Sequence, residues 1–168
     1  MALLRKNVTT KSSFRNNVGG AVRRSATVFS PIHLMMLCPC HSGRPYSTCC
    51  QPYHNGQAPA TAEALMRSRY AAYASGKVGY IIQTTHPDSP LPPHNEVVWR
   101  KELQQFCRGT QFVGLQIMAT EEIDRQTATV TFRAVLFQGG RDASFTERSL
   151  FARLRGRWFY VRPMTEAE

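Results

Sequence analysis

The apolar positions divide the C-terminal two thirds of the chain into a helical half and a strand half. Over residues 61–76 they recur at a spacing of about 3.6, which predicts an amphipathic helix that Thr61 caps and Gly76 ends. The same pattern predicts a shorter helix over 78–85 and a third helix over 96–108. The buried stripe of the first helix should consist of Ala62, Leu65, Met66, Arg69 and Tyr73.

After position 110 the period shortens toward two, and β-branched and aromatic residues dominate. This pattern predicts strands joined by short turns as an antiparallel meander. Helices followed by strands give an α+β fold, because a single sheet must bury one face against the helices. The predicted strands are about 112–123, 127–137, 144–154 and 157–161.

Prolines and glycines mark the irregular parts of the chain. Residues 51–60 contain Pro52, Gly56 and Pro59, which predict a linker without helix or strand. Four prolines between positions 87 and 93 predict an irregular crossing before the third helix.

Residues 1–36 show no sustained period, so we expect them to be poorly ordered. They carry six basic residues and no acid, and they lack the apolar run of a secretory signal. Two interpretations stay open: translated upstream sequence with a start at Met35 or Met36, which we favour, or an organellar presequence. The predicted organisation is therefore a basic extension (1–36), a cysteine-rich knuckle (37–55), an α+β domain (56–163) and a tail (164–168).

Composition and charge narrow the class of protein. The chain has 168 residues, about one domain's worth, and no run approaching the ~20 apolar residues of a membrane span. The net charge is +10, but residues 37–168 hold only fifteen basic residues against eleven acids. The body is thus mildly basic, which is weak support for a nucleic-acid partner.

Four of the five cysteines fall within thirteen residues, as Cys38-Pro-Cys40 and the adjacent pair Cys49-Cys50. The sulfurs of a tetrahedral zinc site lie about 3.8 Å apart, a separation that both kinds of pair can reach from a short loop. Metal ligation would replace a hydrophobic core as the source of order in so small a segment. The spacing predicts one structural zinc ion held by Cys38, Cys40, Cys49 and Cys50.

Other interpretations of the cysteines stay open at this point. A disulfide is disfavoured, because no secretory signal is apparent and a bond between adjacent cysteines is strained. His41 or His54 could replace one thiolate, since sites with three cysteines and one histidine are common. Cys107 stands alone in a helical pattern and is expected to be a small buried residue.

The segment Cys38-Pro-Cys-His-Ser-Gly-Arg-Pro-Tyr46, followed by Cys49-Cys50, closely resembles the SEC-C zinc motif, named for the C-terminus of the SecA translocation ATPase. The residues that follow, through Thr85-His-Pro87, resemble the YchJ-like family of uncharacterised bacterial proteins. This resemblance covers about residues 38–163. It implies a nuclear transport factor 2-like (NTF2-like) domain, a cone in which a curved antiparallel sheet wraps on helices, and the order of predicted elements agrees. His41 departs from the glycine that the knuckle often has, which questions that turn's backbone but removes no ligand.

Cone-shaped folds host enzymes and binding modules alike, so the function must be inferred from the individual residues. The polar residues most expected to point inward are Arg69, Tyr70, Tyr73, His86 and Glu147. His86 is the natural general base and Glu147 its partner, with Tyr70 beside them, in a lyase or isomerase type of enzyme. Neither spacing is diagnostic, and no motif of phosphate binding, metalloprotease, serine hydrolase or redox chemistry accompanies them.

Nucleic-acid binding is a further alternative. Arg153, Arg155, Arg157 and Arg162 cluster near the last predicted turn, with Trp158 and Tyr160 between them. We expect Trp99, Trp158 and Tyr160 to be core residues and hairpin arginines to be solvated.

The leading hypothesis is a bacterial cytoplasmic, non-enzymatic adaptor whose zinc knuckle contacts a protein, as the SecA resemblance suggests. A small-molecule site or enzyme in the cone is the main alternative. The sequence predicts no membrane partner and leaves the oligomeric state undetermined.

Overall fold

The structure, a computed structural model, describes residues 36–90 and 95–165. The predicted N-terminal extension therefore lies, except for Met36, outside the described residues, as do residues 91–94 and part of the predicted tail. Among the helices in the described part of the chain, none has the length and apolar character needed to cross a bilayer.

The three predicted helices form, with boundaries that follow their caps. The threonine hydroxyl of Thr61 accepts a hydrogen bond from the Ala64 N–H at 3.1 Å, and Asn95 caps the last helix through the Val97 and Val98 N–H groups. The described helices are α1 (Gln51–His54), α2 (Ala62–Ala74), α3 (Val78–Gln83) and α4 (Glu96–Gly109), with a 3-10 turn at Tyr46–Thr48.

In the helical part, two predictions were wrong. Residues 51–60 are not all linker, because α1 occupies their first four positions; Pro52 lies in its first turn, where a missing N–H is tolerated. The second helix ends at Gln83 rather than Thr85, because the backbone beyond it pairs with a strand instead: Thr85 forms a parallel bridge with Tyr160.

The sheet is the predicted antiparallel meander, with strand order β1-β2-β4-β5 and a short β3 paired to β2. One difference is that β1 follows α4 directly, so it begins two residues earlier than predicted. The strands are β1 (Thr110–Glu122), β2 (Thr127–Gln138), β3 (Arg141–Asp142), β4 (Phe145–Leu154) and β5 (Arg157–Pro163).

Bulges curve the sheet. The register of β1 against β2 shifts after Phe112 and again after Ile117, and that of β4 against β5 shifts after Leu150. An extra residue on one strand bends it and increases its twist. The sheet can therefore wrap its inner face around α2, as the cone architecture requires.

Helix α2 is buried on more sides than its predicted stripe. The stripe faces the sheet, but Ser68 and Ala71, which lie off it, are also fully buried. The main core, which includes Trp99, Trp158 and Tyr160 as predicted, covers one side of α2, whereas Ala71 packs with the four clustered cysteines. The cysteine-rich segment therefore packs against a second side of α2.

Candidate metal centre

The first cysteine pair lies on a tight hook closed by backbone hydrogen bonds. The Cys38 N–H donates to the Arg44 carbonyl at 2.8 Å, and the Tyr46 N–H donates to the Met36 carbonyl at 2.9 Å. Within the hook the chain reverses through two left-handed residues, His41 (φ 57°) and Gly43 (φ 75°). Glycine adopts that conformation freely, whereas for histidine it carries a steric cost. His41, which stands where the motif often has glycine, is therefore the strained residue of the hook.

The second pair sits at the junction of two short helical turns. Cys49 ends the 3-10 turn, with its N–H bonded to the Tyr46 carbonyl at 3.1 Å, and Cys50 is the N-terminal cap residue of α1. The change of direction between these turns aims both side chains at the first pair.

The four sulfurs converge at one buried point. Their Sγ atoms all lie within 4.8 Å of one another, and all four residues are buried. Cys49 Sγ is 3.6 Å from Cys40 Sγ and 3.9 Å from Cys50 Sγ. These separations match the about 3.8 Å between ligands of a tetrahedral zinc ion and far exceed a disulfide bond of about 2.05 Å. All five cysteines are free thiols, and the arrangement can hold a metal ion.

Charge around the sulfurs is unevenly placed. Burial raises the pKa of the Cys38 thiol to about 11. The pKa of Cys50 is raised, first because its thiol is held in a hydrogen bond to Cys40 and then by burial, and the same hydrogen bond lowers the pKa of Cys40. Of these three thiols, Cys40 is therefore the most readily ionised. Four thiolates together require a cation among them.

Two polar groups on the hook are placed to offset excess negative charge. Arg44 Nη2 and Ser42 Oγ each lie 3.3 Å from Cys49 Sγ. The charge of Cys49 is the main reason that the pKa of the Arg44 guanidinium is raised. Hydrogen bonds of this kind orient and stabilise metal-bound thiolates.

The histidines are engaged elsewhere. The Nδ1 atom of His54 is 2.7 Å from the Tyr46 hydroxyl, and its Nε2 atom is 2.9 Å from the Ser68 carbonyl of α2. The exposed His41 ring packs edge-on against Tyr70, with centroids 5.9 Å apart. Both nitrogens of His54 therefore have partners other than the four sulfurs.

These histidine contacts also dock the knuckle on the domain. The His54 ring stands against Tyr80 of α3 at 4.7 Å, and the Tyr80 hydroxyl is 2.7 Å from Ser68 Oγ. A linked set of polar groups thus runs from Tyr46 in the knuckle through His54 to α2 and α3. Apart from the nearness of His54 to the cysteines, no local pattern in the sequence indicates this contact.

The structure does not bring the predicted catalytic residues together. The His86 ring packs on Phe159, which alternates along β5 with the core-facing Trp158 and Tyr160 and so lies on the other face of the sheet. Glu147 instead accepts a hydrogen bond from Ser149 Oγ at 2.6 Å. The Tyr70 hydroxyl donates to the Gly114 carbonyl at 2.9 Å.

A different polar group occupies the interior. Arg69 is buried, donates from Nη1 to the Ile81 carbonyl at 2.8 Å and to Thr84 Oγ1 at 2.7 Å, and covers the Tyr160 ring at 4.7 Å. The Tyr160 hydroxyl reaches Glu147 Oε1 at 3.5 Å. Burial is the first cause of the raised pKa of Tyr160, and the charge of Glu147 adds to it. The predicted interior position of Arg69 is correct, but its link to Glu147 through Tyr160 was not predicted, because Tyr160 was expected to act only as a core residue.

Comparison with known proteins agrees with the two-part architecture. Residues 61–163 match the family described as YchJ, middle NTF2-like domain, and residues 37–52 match the SEC-C motif. The chain is 39% identical over 128 residues to a UPF0225 protein of Haemophilus influenzae (strain PittEE), covering 75% of this chain and 76% of that one. It is 40% identical over 128 residues to a UPF0225 protein of Bordetella pertussis, and the match covers 74% of this chain and 89% of that one.

Solved structures of similar proteins share the fold. A SEC-C motif containing protein from Rhodopseudomonas palustris, solved in solution, is 34% identical, with a TM-score of 0.66 over 77% of this chain and 98% of that chain. A crystal structure of a SEC-C motif containing protein from Psychrobacter arcticus is 27% identical, with a TM-score of 0.64 over 79% and 84%. These matches confirm the resemblance inferred from the motif.

Proposed function

This chain belongs to the YchJ-like family, and on that premise we propose that its knuckle holds one structural zinc ion and serves as a non-enzymatic contact surface for a partner protein. Cys38, Cys40, Cys49 and Cys50 are the proposed ligands. The observation that carries the proposal is the convergence of four buried sulfurs within 4.8 Å.

Four thiolates complete the coordination of a tetrahedral ion. A full set of protein ligands is typical of structural sites, since catalytic zinc keeps a position for water or substrate. Sulfur-only tetrahedral sites favour zinc, with iron as the alternative metal. The role of the ion here would be to order the hook and to hold it against α2.

Metal analysis of the full-length protein tests the first step. We expect about one zinc per chain by inductively coupled plasma mass spectrometry, with loss on Cys49→Ser. The control is Cys107→Ser, because Cys107 lies apart from the cluster against the main core. A protein without metal, or one in which both variants behave alike, would contradict the site. One iron per chain would keep the site and correct the metal.

The outer side of the knuckle supports the contact role. His41, Gly43, Arg44, Ser47 and Thr48 are exposed, whereas the inner side is occupied by sulfurs and by α2. A metal-ordered hook presents this surface in one conformation, so it loses little conformational entropy when a partner binds. The resemblance to the SecA motif supports a protein as the partner.

A surface variant can separate contact from metal binding. Ser47→Arg adds a charge to the outer side without touching a sulfur, and Gln104→Arg adds the same charge to the exposed face of α4. Quantitative affinity capture from bacterial lysate should enrich a protein with the native chain and with Gln104→Arg but not with Ser47→Arg. Equal capture by all three would contradict a contact through the knuckle.

The interior polar group favours a second candidate, a small-molecule site within the cone. A buried arginine linked through Tyr160 to a carboxylate is costly in an apolar core, and such groups often mark binding sites. Ligand-observed NMR with a polar fragment library should then detect binders that Glu147→Gln abolishes and that Ser47→Arg retains. If the fragments bind the Glu147→Gln protein as well as the native one, the small-molecule site is contradicted, and the knuckle proposal is unaffected.

A further inference from the structure

We propose that one end of the sheet binds the sugar–phosphate backbone of a nucleic acid. This surface, the arginine end, consists of Arg125, Arg153, Arg155 and Arg157. It is independent of the knuckle and of the interior polar group.

Two neighbouring hairpin turns form the arginine end. Arg125 lies in the turn between β1 and β2, and Arg155 lies in the turn between β4 and β5. The turns are adjacent because β2 pairs with β4: Thr127 is opposite Ala152, and the Arg153 N–H donates to the Gln126 carbonyl at 2.6 Å. Paired strands lie about 4.8 Å apart, so the four arginines share one end of the sheet, with Arg153 on the face of Trp158 and Arg157 on the opposite face.

This set differs from the one that the sequence suggested. Arg162 is opposite Leu150 on the far part of β5, five residues and about 17 Å from Arg157, and does not belong to this end. Arg125 takes its place, although it is 28 positions away from Arg153 in sequence. Only the pairing of β2 with β4 brings them together.

The arginines at this end form no ion pairs among the described residues. Within the described part of the chain, none of the four guanidinium groups lies within 4.0 Å of a carboxylate. The nearby Asp124 carboxylate accepts hydrogen bonds from the N–H groups of Gln126 and Thr127 at 2.6 and 2.7 Å, and Glu121 pairs with Arg148 at 3.0 Å. Arg125, Arg155 and Arg157 are exposed. A concentrated positive potential attracts a polyanion.

Arg153 is the organised member of the group. The Cζ atom of its guanidinium lies over the Trp158 ring, 4.6 Å from the ring centroid, and its buried Nε atom has no hydrogen-bond partner within the described residues. A guanidinium held over an aromatic ring is restricted in orientation, and arginine matches the geometry of phosphate oxygens better than lysine does.

The buried aromatic rings define how such a ligand would be bound. Trp158 and Tyr160 both lie in the core, so neither ring offers bases a stacking platform beside the arginines. Contacts would be to phosphates, which position a nucleic acid without reading its sequence. A nucleic-acid strand offers a regular series of charges to several arginines at once, which favours it over an acidic peptide.

Fluorescence anisotropy with a labelled, mixed-sequence 20-nucleotide RNA tests the proposal on the full chain. The test variant is Arg155→Asn with Arg157→Gln; asparagine suits the left-handed backbone of position 155 (φ 50°). The control variant, Lys101→Gln with Arg108→Gln, removes the same charge from exposed positions on α4 near the opposite end of the sheet. Both variants keep the basic extension, so its contribution cancels.

Native protein and control should bind with matching affinity and should discriminate little between RNA sequences. The test variant should bind several-fold more weakly, and its plot of log affinity against log salt should be shallower by about 1.4, from about 0.7 per lost single-strand contact. Equal weakening by test and control variants would overturn the proposal. So would a labelled poly-glutamate peptide that binds as tightly as the RNA and is lost with the same variant, since the surface would then fit an acidic protein.

Discussion

The knuckle and the domain behind it are ordered by different physical means. In the domain, twenty buried residues of one apolar cluster hold helices against a curved sheet. In the knuckle, the buried cluster is the four cysteines and one alanine of α2, with Tyr46 packed beside it. A segment of that size has too little apolar surface to fold alone. The two regions should therefore respond to different perturbations.

The largest expected effect is that of metal removal, and it should be confined to the knuckle. A structural zinc ion contributes about 10–16 kcal/mol to the folding of small sites. In hydrogen exchange on chelated full-length protein, residues 37–54 should lose protection while β2 and β4 retain it. Loss of protection in both regions together would show a single cooperative unit and remove the contrast.

Truncation of a core side chain should destabilise the domain and leave the knuckle unaffected. Phe151 is fully buried in the main cluster, and Phe151→Ala should lower the free energy of unfolding by about 3–5 kcal/mol in guanidinium chloride. Metal content should stay unchanged, because the cysteine cluster is separate. Phe137→Ala, at a half-buried position outside that cluster, should cost clearly less. Loss of metal from the folded Phe151→Ala protein would contradict the separation.

The contact between the two regions depends on His54. His54→Ala removes its hydrogen bonds to Tyr46 and to the Ser68 carbonyl, which should destabilise the docked knuckle by about 1–3 kcal/mol. Hydrogen exchange in residues 37–54 should accelerate while metal stoichiometry stays at the native value. His86→Ala is the matched control, since that ring packs on Phe159 away from the knuckle. If His54→Ala released the metal, His54 would be a ligand.

The smallest expected effect concerns the strained turn of the hook. His41→Gly removes the strain of a left-handed backbone, about 1–2 kcal/mol for a residue with a side chain, but it also removes the ring contact with Tyr70. We expect a net stabilisation below about 1 kcal/mol in chelator competition. Gly43→Ala introduces the same kind of strain at φ 75° and should weaken metal retention. A destabilised His41→Gly protein would show that the contact with Tyr70 outweighs the strain.

Local signals predicted most of the secondary structure. The cap Thr61 and the turns rich in glycine act within a few residues, so the start of α2 and the hairpins followed from the sequence. The short helix α1 was missed because proline was taken as a helix breaker, although it is tolerated in a first turn, and because contacts with α2 and α3 stabilise so short a helix.

The candidate site, too, has features that local sequence predicts and features that it does not. The spacing of the cysteines determined, without any structure, that four sulfurs would lie on one short loop, because ligand geometry restricts sequence spacing. Only the tertiary structure decided the rest: that His54 docks the loop on α2, that alternation along β5 separates His86 from Glu147, and that strand pairing joins Arg125 to Arg153. These contacts link residues distant in sequence, and their geometry is set by the packing of the whole chain, which no local pattern encodes.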